Sequence, residues 1–143
     1  MSTKEREGRY REAVRYLQNA GSILHDKAGK KDNRYLDEKY VRMACGTAYN
    51  GTLLALDTYL ELKGKPIRKP RTGRVDVSDY RKNLSLVDKK LLNEFNTTYN
   101  ILHLAGYYDG ETKASVIRAG MESAIEIVNK IKPAGLEGLQ LEQ

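Results

Sequence analysis

Val41-Arg42-Met43-Ala44-Cys45-Gly46-Thr47-Ala48-Tyr49-Asn50-Gly51-Thr52-Leu53-Leu54-Ala55 is the stretch on which the fold turns. Extended to about Leu36 and Leu62, it places Val41, Ala44, Ala48, Gly51, Ala55, Tyr59 and Leu62 on one face at helical spacing. Four of these seven are Ala or Gly, so a neighbouring helix can approach closely and fill the gap with its own large side chains. Gly46 and Gly51 would each cost about 1 kcal/mol against Ala in an exposed helix interior, so close contact is the physical reason for their presence. The stretch predicts a central, tightly packed helix.

Outward from it, three more long helices follow from the same periodicity. The first runs from about Thr3 to Lys27, with Tyr10, Ala13, Val14, Leu17, Ala20, Ile23 and Leu24 as its stripe. Thr3 and Arg6 make no capping box, and Gly29 with Lys30-Lys31-Asp32-Asn33 ends the helix in a loop. After Gly64 and Pro66, the segment Lys63–Arg74 reads as an exposed loop that Ile67 pins locally. Val77-Ser78-Asp79-Tyr80 opens a short extra helix. Ser85, with Asp88 three residues later, is the candidate N-cap of the third long helix, whose stripe is Leu91, Leu92, Phe95, Tyr99, Leu102 and Ala105. Asp109-Gly110 marks a turn, and the fourth helix spans about Thr112 to Ile131. No run reads as a strand. The expectation is an all-α antiparallel four-helix bundle with a short helix between helices 2 and 3. One domain covers residues 1–135, and residues 136–143 form a flexible tail.

Composition fits this. A chain of 143 residues with 40% hydrophobic and 31% charged residues is too apolar for disorder and long enough for one core. A single cysteine, Cys45, excludes an internal disulfide and fits a reducing compartment. The charged N-terminus lacks the apolar core of a secretory signal, and no apolar run reaches the roughly 18 residues of a membrane helix. A cytoplasmic protein with no membrane contact is expected. The net charge of +6 is concentrated: Lys63, Lys65, Arg68, Lys69, Arg71 and Arg74 fall within twelve residues that hold no acid. Lys65, Arg68, Lys69, Arg71 and Arg74 are the candidate nucleic-acid contacts, although no aromatic residue sits among them to stack a base. A merely solvated loop is the competing reading.

Chemistry is sparse. His25 and His103 are the only histidines, neither preceded by Glu at the spacing of a di-iron bundle, and with one Cys no zinc set assembles. Neither metal nor cofactor is expected. No phosphate-binding glycine loop and no nucleophile elbow occurs. One constellation remains on the third helix, where Asn96, Asn100, His103 and Tyr107 form a polar stripe. A histidine between Asn100 and Tyr107 suits ligand binding or proton transfer at neutral pH, and equally suits a histidine held at a helix or subunit seam.

The run Tyr40 to Gly51, followed by Leu53 to Leu62 and Gly64, resembles the second helix of HEPN-like four-helix domains. Asn100-Ile101-Leu102-His103 and then Tyr107-Tyr108-Asp109 resemble the third helix and its end, and the fourth helix is similar in its repeated Ala and Ile. The likeness covers about residues 5–131. More narrowly, the chain resembles an uncharacterised bacterial family of short, standalone HEPN-like proteins. Active members of that superfamily are metal-independent ribonucleases, often homodimers, with an Arg, four to six intervening residues and then a His. His103 stands at the His position. Asn96, Thr97 and Thr98 stand where the Arg belongs, so the cation that would stabilise a phosphorane charge is missing. Other members are inactive partners in toxin–antitoxin systems or bundles that serve a nucleotidyltransferase, which here would be a separate chain.

The resemblance therefore implies a non-catalytic, homodimeric binding module. The alternative it implies is a degenerate ribonuclease or RNA-binding protein, using His103 and the 63–74 loop.

Overall fold

In the computed structural model, which describes residues 2–136, the chain is mostly helical. Helix α1 (Thr3–Ile23) begins at Thr3 because Ser2 caps it, its Oγ accepting from the Glu5 amide at 3.1 Å. The expected stripe is buried except for half-buried Ile23, and Tyr10 donates its hydroxyl to the Val128 carbonyl, tying α1 to the last helix. The helix then widens into a π-type turn over Leu24–Ala28, and Gly29, at φ +66°, redirects the chain.

Residues expected as plain loop form a two-stranded hairpin, β1 (Lys30–Lys31) with β2 (Arg34–Tyr35). Asp32 and Asn33 both take positive φ, 52° and 64°, as a two-residue hairpin turn of matching twist requires. The ribbon is too short to stand alone and is held by the start of the last helix. Asn33 accepts from the Ala114 amide through its carbonyl and from the Ser115 amide through Oδ1, satisfying first-turn donors that have no helical partner. The Tyr35 amide donates to Thr112.

Helix α2 (Glu38–Leu62) starts at Asp37, whose carboxylate accepts from the Lys39 amide. Val41, Ala44, Ala48, Gly51 and Ala55 are buried as expected, but Leu62 is exposed; Leu56 and Leu60 carry the buried face to its end. A Cβ on Gly51 would stand 2.7 Å from the Tyr16 Cβ and 3.1 Å from the Ala13 carbonyl, so α1 crosses α2 nearly in backbone contact.

The basic segment is a loop, with Ile67 packed against the core. Helix α3 (Val77–Val87) is the short extra helix, opened by an Asp76–Asp79 capping box. Ser85 is not a cap. It lies inside α3 and donates to the Lys82 carbonyl, whereas Asp88 breaks the chain out of α3 and caps α4 (Lys89–Thr98) by accepting from Leu91. That amide is the main reason the Asp88 carboxyl is held below its usual range. Helix α4 runs directly into a ten-residue π-helix, Tyr99–Tyr108, and α5 (Ala114–Lys130) returns along α2 and α4. Leu136 is buried beyond α5, and the remainder of the expected tail lies outside the described residues.

Candidate functional site

The π-helix decides what surrounds His103. Neighbours on an α-helix are three and four residues apart, but a π-helix closes its hydrogen bonds at five, as the Asp109 amide does on the Leu104 carbonyl at 2.9 Å. Tyr108, five residues after His103, is thereby turned back to it, ring centroids 4.9 Å apart and nearly perpendicular. Tyr99 and Tyr107, four residues to either side, lie at 5.2 and 6.1 Å, and Tyr49 of α2 stacks at 4.6 Å. The half-buried imidazole is flanked by four phenol rings. Burial pushes its pKa down, so at neutral pH it is uncharged.

The expected polar stripe is only partly assembled. Tyr107 meets His103 as a stacked ring, not through its hydroxyl, and no hydrogen bond joins His103 to Asn100 or Tyr107 among the described residues. Asn100 is exposed. Asn96 is engaged elsewhere: its Oδ1 accepts from Arg81 Nε at 2.9 Å, and the Arg81 guanidinium lies 4.8 Å from the Tyr99 ring centre. Sequence reading missed Arg81, which sits on a separate helix with no spacing relation to the stripe.

Two small residues hold this arrangement against α2. A Cβ on Gly106 would collide with the Cys45 Sγ, and one on Gly46 would reach 2.9 Å from the Tyr107 ring. Ala44-Cys45-Gly46 is thus a seat for the π-helix, and burial pushes the Cys45 thiol up to about 12. Arg42 closes the end of the π-helix. Its Nη1 donates to the Tyr107 carbonyl at 2.8 Å and to that of Tyr108, and its Nη2 pairs with Glu38 at 2.6 Å. These are carbonyls the helix itself leaves without donors.

Around His103 the surface is apolar. Met43 (49% exposed), Leu104 (37%), Tyr107 (45%) and Tyr108 (60%) stand out from α2 and the π-helix, with Glu38, Lys39 and Arg42 beside them. Elsewhere Lys65, Arg68, Lys69, Arg71 and Arg74 are all exposed, and none has an ion-pair partner among the described residues. Lys63 lies over the Tyr59 ring. No three His, Cys, Asp or Glu side chains among the described residues converge as metal ligands, and no helix there is long and apolar enough to cross a membrane.

A cleft of about 830 Å³ opens between α1, the hairpin and α5. Nothing in the periodicity announced it, because its walls come from residues 17–35 and 118–125. Leu17, Leu24, Met121 and Ile125 form its floor, and His25, Asp26, Lys30, Tyr35, Arg118 and Glu122 its rim.

Comparison with known proteins places the chain among relatives of unknown function. A family model described as a domain of unknown function, DUF5618, matches residues 8–133. A solved protein of unknown function from Dyadobacter fermentans is 44% identical, with a TM-score of 0.78 over 92% of this chain and 97% of that one. No curated protein matches. The chain belongs to the DUF5618 family.

Proposed function

We propose that this DUF5618 chain is a non-catalytic, cytoplasmic binding module of HEPN-like four-helix type that pairs with a second copy of itself through the aromatic face around His103. The observation that carries the reading is the flanking of His103 by Tyr49, Tyr99, Tyr107 and Tyr108. A general base needs an oriented partner; this ring is packed on phenols, and no side chain among the described residues hydrogen-bonds it. The exposed Met43, Tyr107 and Tyr108 adjoin one another, with Leu104 also exposed on the π-helix, and make an apolar patch of the kind that marks an interface. Its rim carries both signs, Glu38 and Asp109 against Lys39 and Arg42. A two-fold contact sets a patch against itself, so a rim of both signs matches its own copy. A dimer of this kind would meet a separate-chain partner, in the toxin–antitoxin or nucleotidyltransferase setting that the HEPN likeness suggests. The test is light scattering at micromolar concentration: the parent is expected to be a dimer, and Tyr108→Glu with Met43→Glu a monomer with an unchanged helical melt. A monodisperse monomeric parent rules the reading out.

A second reading rests on Arg81. Residues 96–98 lack the arginine of the ribonuclease motif, yet α3 delivers a guanidinium to Asn96, the first of those positions. In this reading Arg81 supplies the missing cation, neutral His103 the base, and the loop residues Lys65, Arg68, Lys69, Arg71 and Arg74 the phosphate contacts. RNA cleavage that is equal in the parent, Arg81→Ala and His103→Ala removes it.

A further inference from the structure

The α1–α5 cleft is separate from the aromatic face, and its lining divides by chemistry. Leu17 and Leu24 on one wall and Met121 and Ile125 on the other are all buried and make a continuous apolar floor. At the hairpin end stand three donors, Lys30, Tyr35 and Arg118. Neither Lys30 nor Arg118 has an ion-pair partner among the described residues, and the Tyr35 hydroxyl makes no hydrogen bond there. Burial raises the Tyr35 hydroxyl pKa, and the neighbouring Arg118 charge draws it back. Of the two acids that line the cleft, Asp26 is largely exposed and in hydrogen-bond contact with His25 at 2.8 Å, and Glu122 stands with the three donors.

The room is built in. An added Cβ on Gly21 meets nothing within 4 Å, so α1 leaves a gap over the floor where any other residue would begin to fill it. The hairpin that carries Lys30 and Tyr35 is clamped by Asn33 to the start of α5, which carries Arg118, and by the Tyr35 amide to Thr112, so the polar end keeps its place against the apolar floor. A volume of about 830 Å³ is in the range that encloses a drug-sized molecule.

We propose that this cleft binds an amphipathic monocarboxylate, its alkyl or aryl body on the Leu17–Leu24–Met121–Ile125 floor and its carboxylate at Arg118, Tyr35 and Lys30. Arg118 offers the two-pronged donor geometry that a carboxylate accepts, and the tyrosine hydroxyl supplies a third donor at the apolar boundary.

Calorimetric titration of the full chain with octanoate, octanol and octylammonium tests it, since the three differ only in the head group. Octanoate is expected to bind at least tenfold more tightly than octanol, with octylammonium weakest. Arg118→Met should lower octanoate affinity by about ten- to hundredfold, the worth of a charge-assisted hydrogen bond, and leave octanol unchanged. Gly21→Leu should abolish all three while the protein melts no lower than the parent. Equal binding of octanoate and octanol, a preference for octylammonium, no octanoate heat at millimolar concentration, or undiminished binding by Gly21→Leu would each overturn the proposal. Should Gly21→Leu fail to fold, Arg118→Met decides alone.

Discussion

Gly106 and Gly21 are both glycines inside helical segments, and their surroundings are opposite. At Gly106 the Cys45 side chain fills the place a Cβ would take; at Gly21 that place is empty. The first glycine brings the π-helix down onto α2 and closes the aromatic seam, and the second leaves the α1–α5 cleft open. A helical glycine weakens its own helix in both cases. What it does for the molecule depends on the element opposite, and the same residue type makes a sealed contact on one side of α2 and a binding cavity on the far side of α1.

The comparison is open to direct attack, and the largest effect belongs to the closed side. Gly51→Leu drives a side chain into Tyr16 and the Ala13 carbonyl, and a backbone atom cannot rotate away. A loss of about 3 kcal/mol is expected, near the upper end for overpacking. For a chain of this size that lowers the thermal midpoint by about 10 °C. A circular-dichroism melt unchanged from the parent would show that α1 and α2 do not meet there. Gly106→Ala should cost about 1–3 kcal/mol by the same mechanism. Adding Cys45→Ala removes the sulfur but leaves the Cys45 Cβ at 2.8 Å, so rescue should be partial, and a purely additive double variant would dissolve the seam.

On the open side the sign reverses. Gly21→Ala is expected to stabilise the protein by about 1 kcal/mol, the plain propensity difference with no clash to oppose it. A loss in urea unfolding would mean that the cleft wall is closed. The smallest effect is the pH response of the seam. Burial lowers the His103 pKa in the folded protein below the roughly 6.5 of an unfolded chain. The unfolded state then binds the proton first, so this contribution is whole above about pH 6.5 and is lost as pH falls towards the folded value. His103→Phe keeps a ring in the stack, and its urea midpoint between pH 7.5 and 5.5 should fall less steeply than the parent's. Parallel slopes would place His103 in water.

What the sequence disclosed follows from what repeats along it. The small-residue face of α2 is legible because five buried positions recur at α-helical spacing, and the same periodicity marks α1 and α5. The π-helix is not, because a template of three and four cannot pair His103 with Tyr108, and by that template the aromatic cluster reads as a polar stripe. Ser85 and Asp88 fit a capping box in spacing, but the box at Asp76–Asp79 starts a helix eight residues earlier and absorbs Ser85 into it. The hairpin had one local signal, Asp32-Asn33, two residues that tolerate positive φ, flanked by strands too short to show alternation. Arg81 beside Asn96 and the α1–α5 cleft are tertiary products, assembled from segments 15 to roughly 100 residues apart, and no local pattern encodes them.

Cys45 turns the closed seam into something that can be timed. Its thiol lies wholly inside the contact between α2 and the π-helix, and at a pKa of about 12 it is almost never a thiolate. An alkylating reagent added to the folded protein therefore waits for the seam to part, and the labelling rate counts those openings. Since Cys45 is the chain's single cysteine, every labelled molecule records one event at one place. The protein carries its own clock for the breathing of the aromatic face, and a partner bound over that face should slow it.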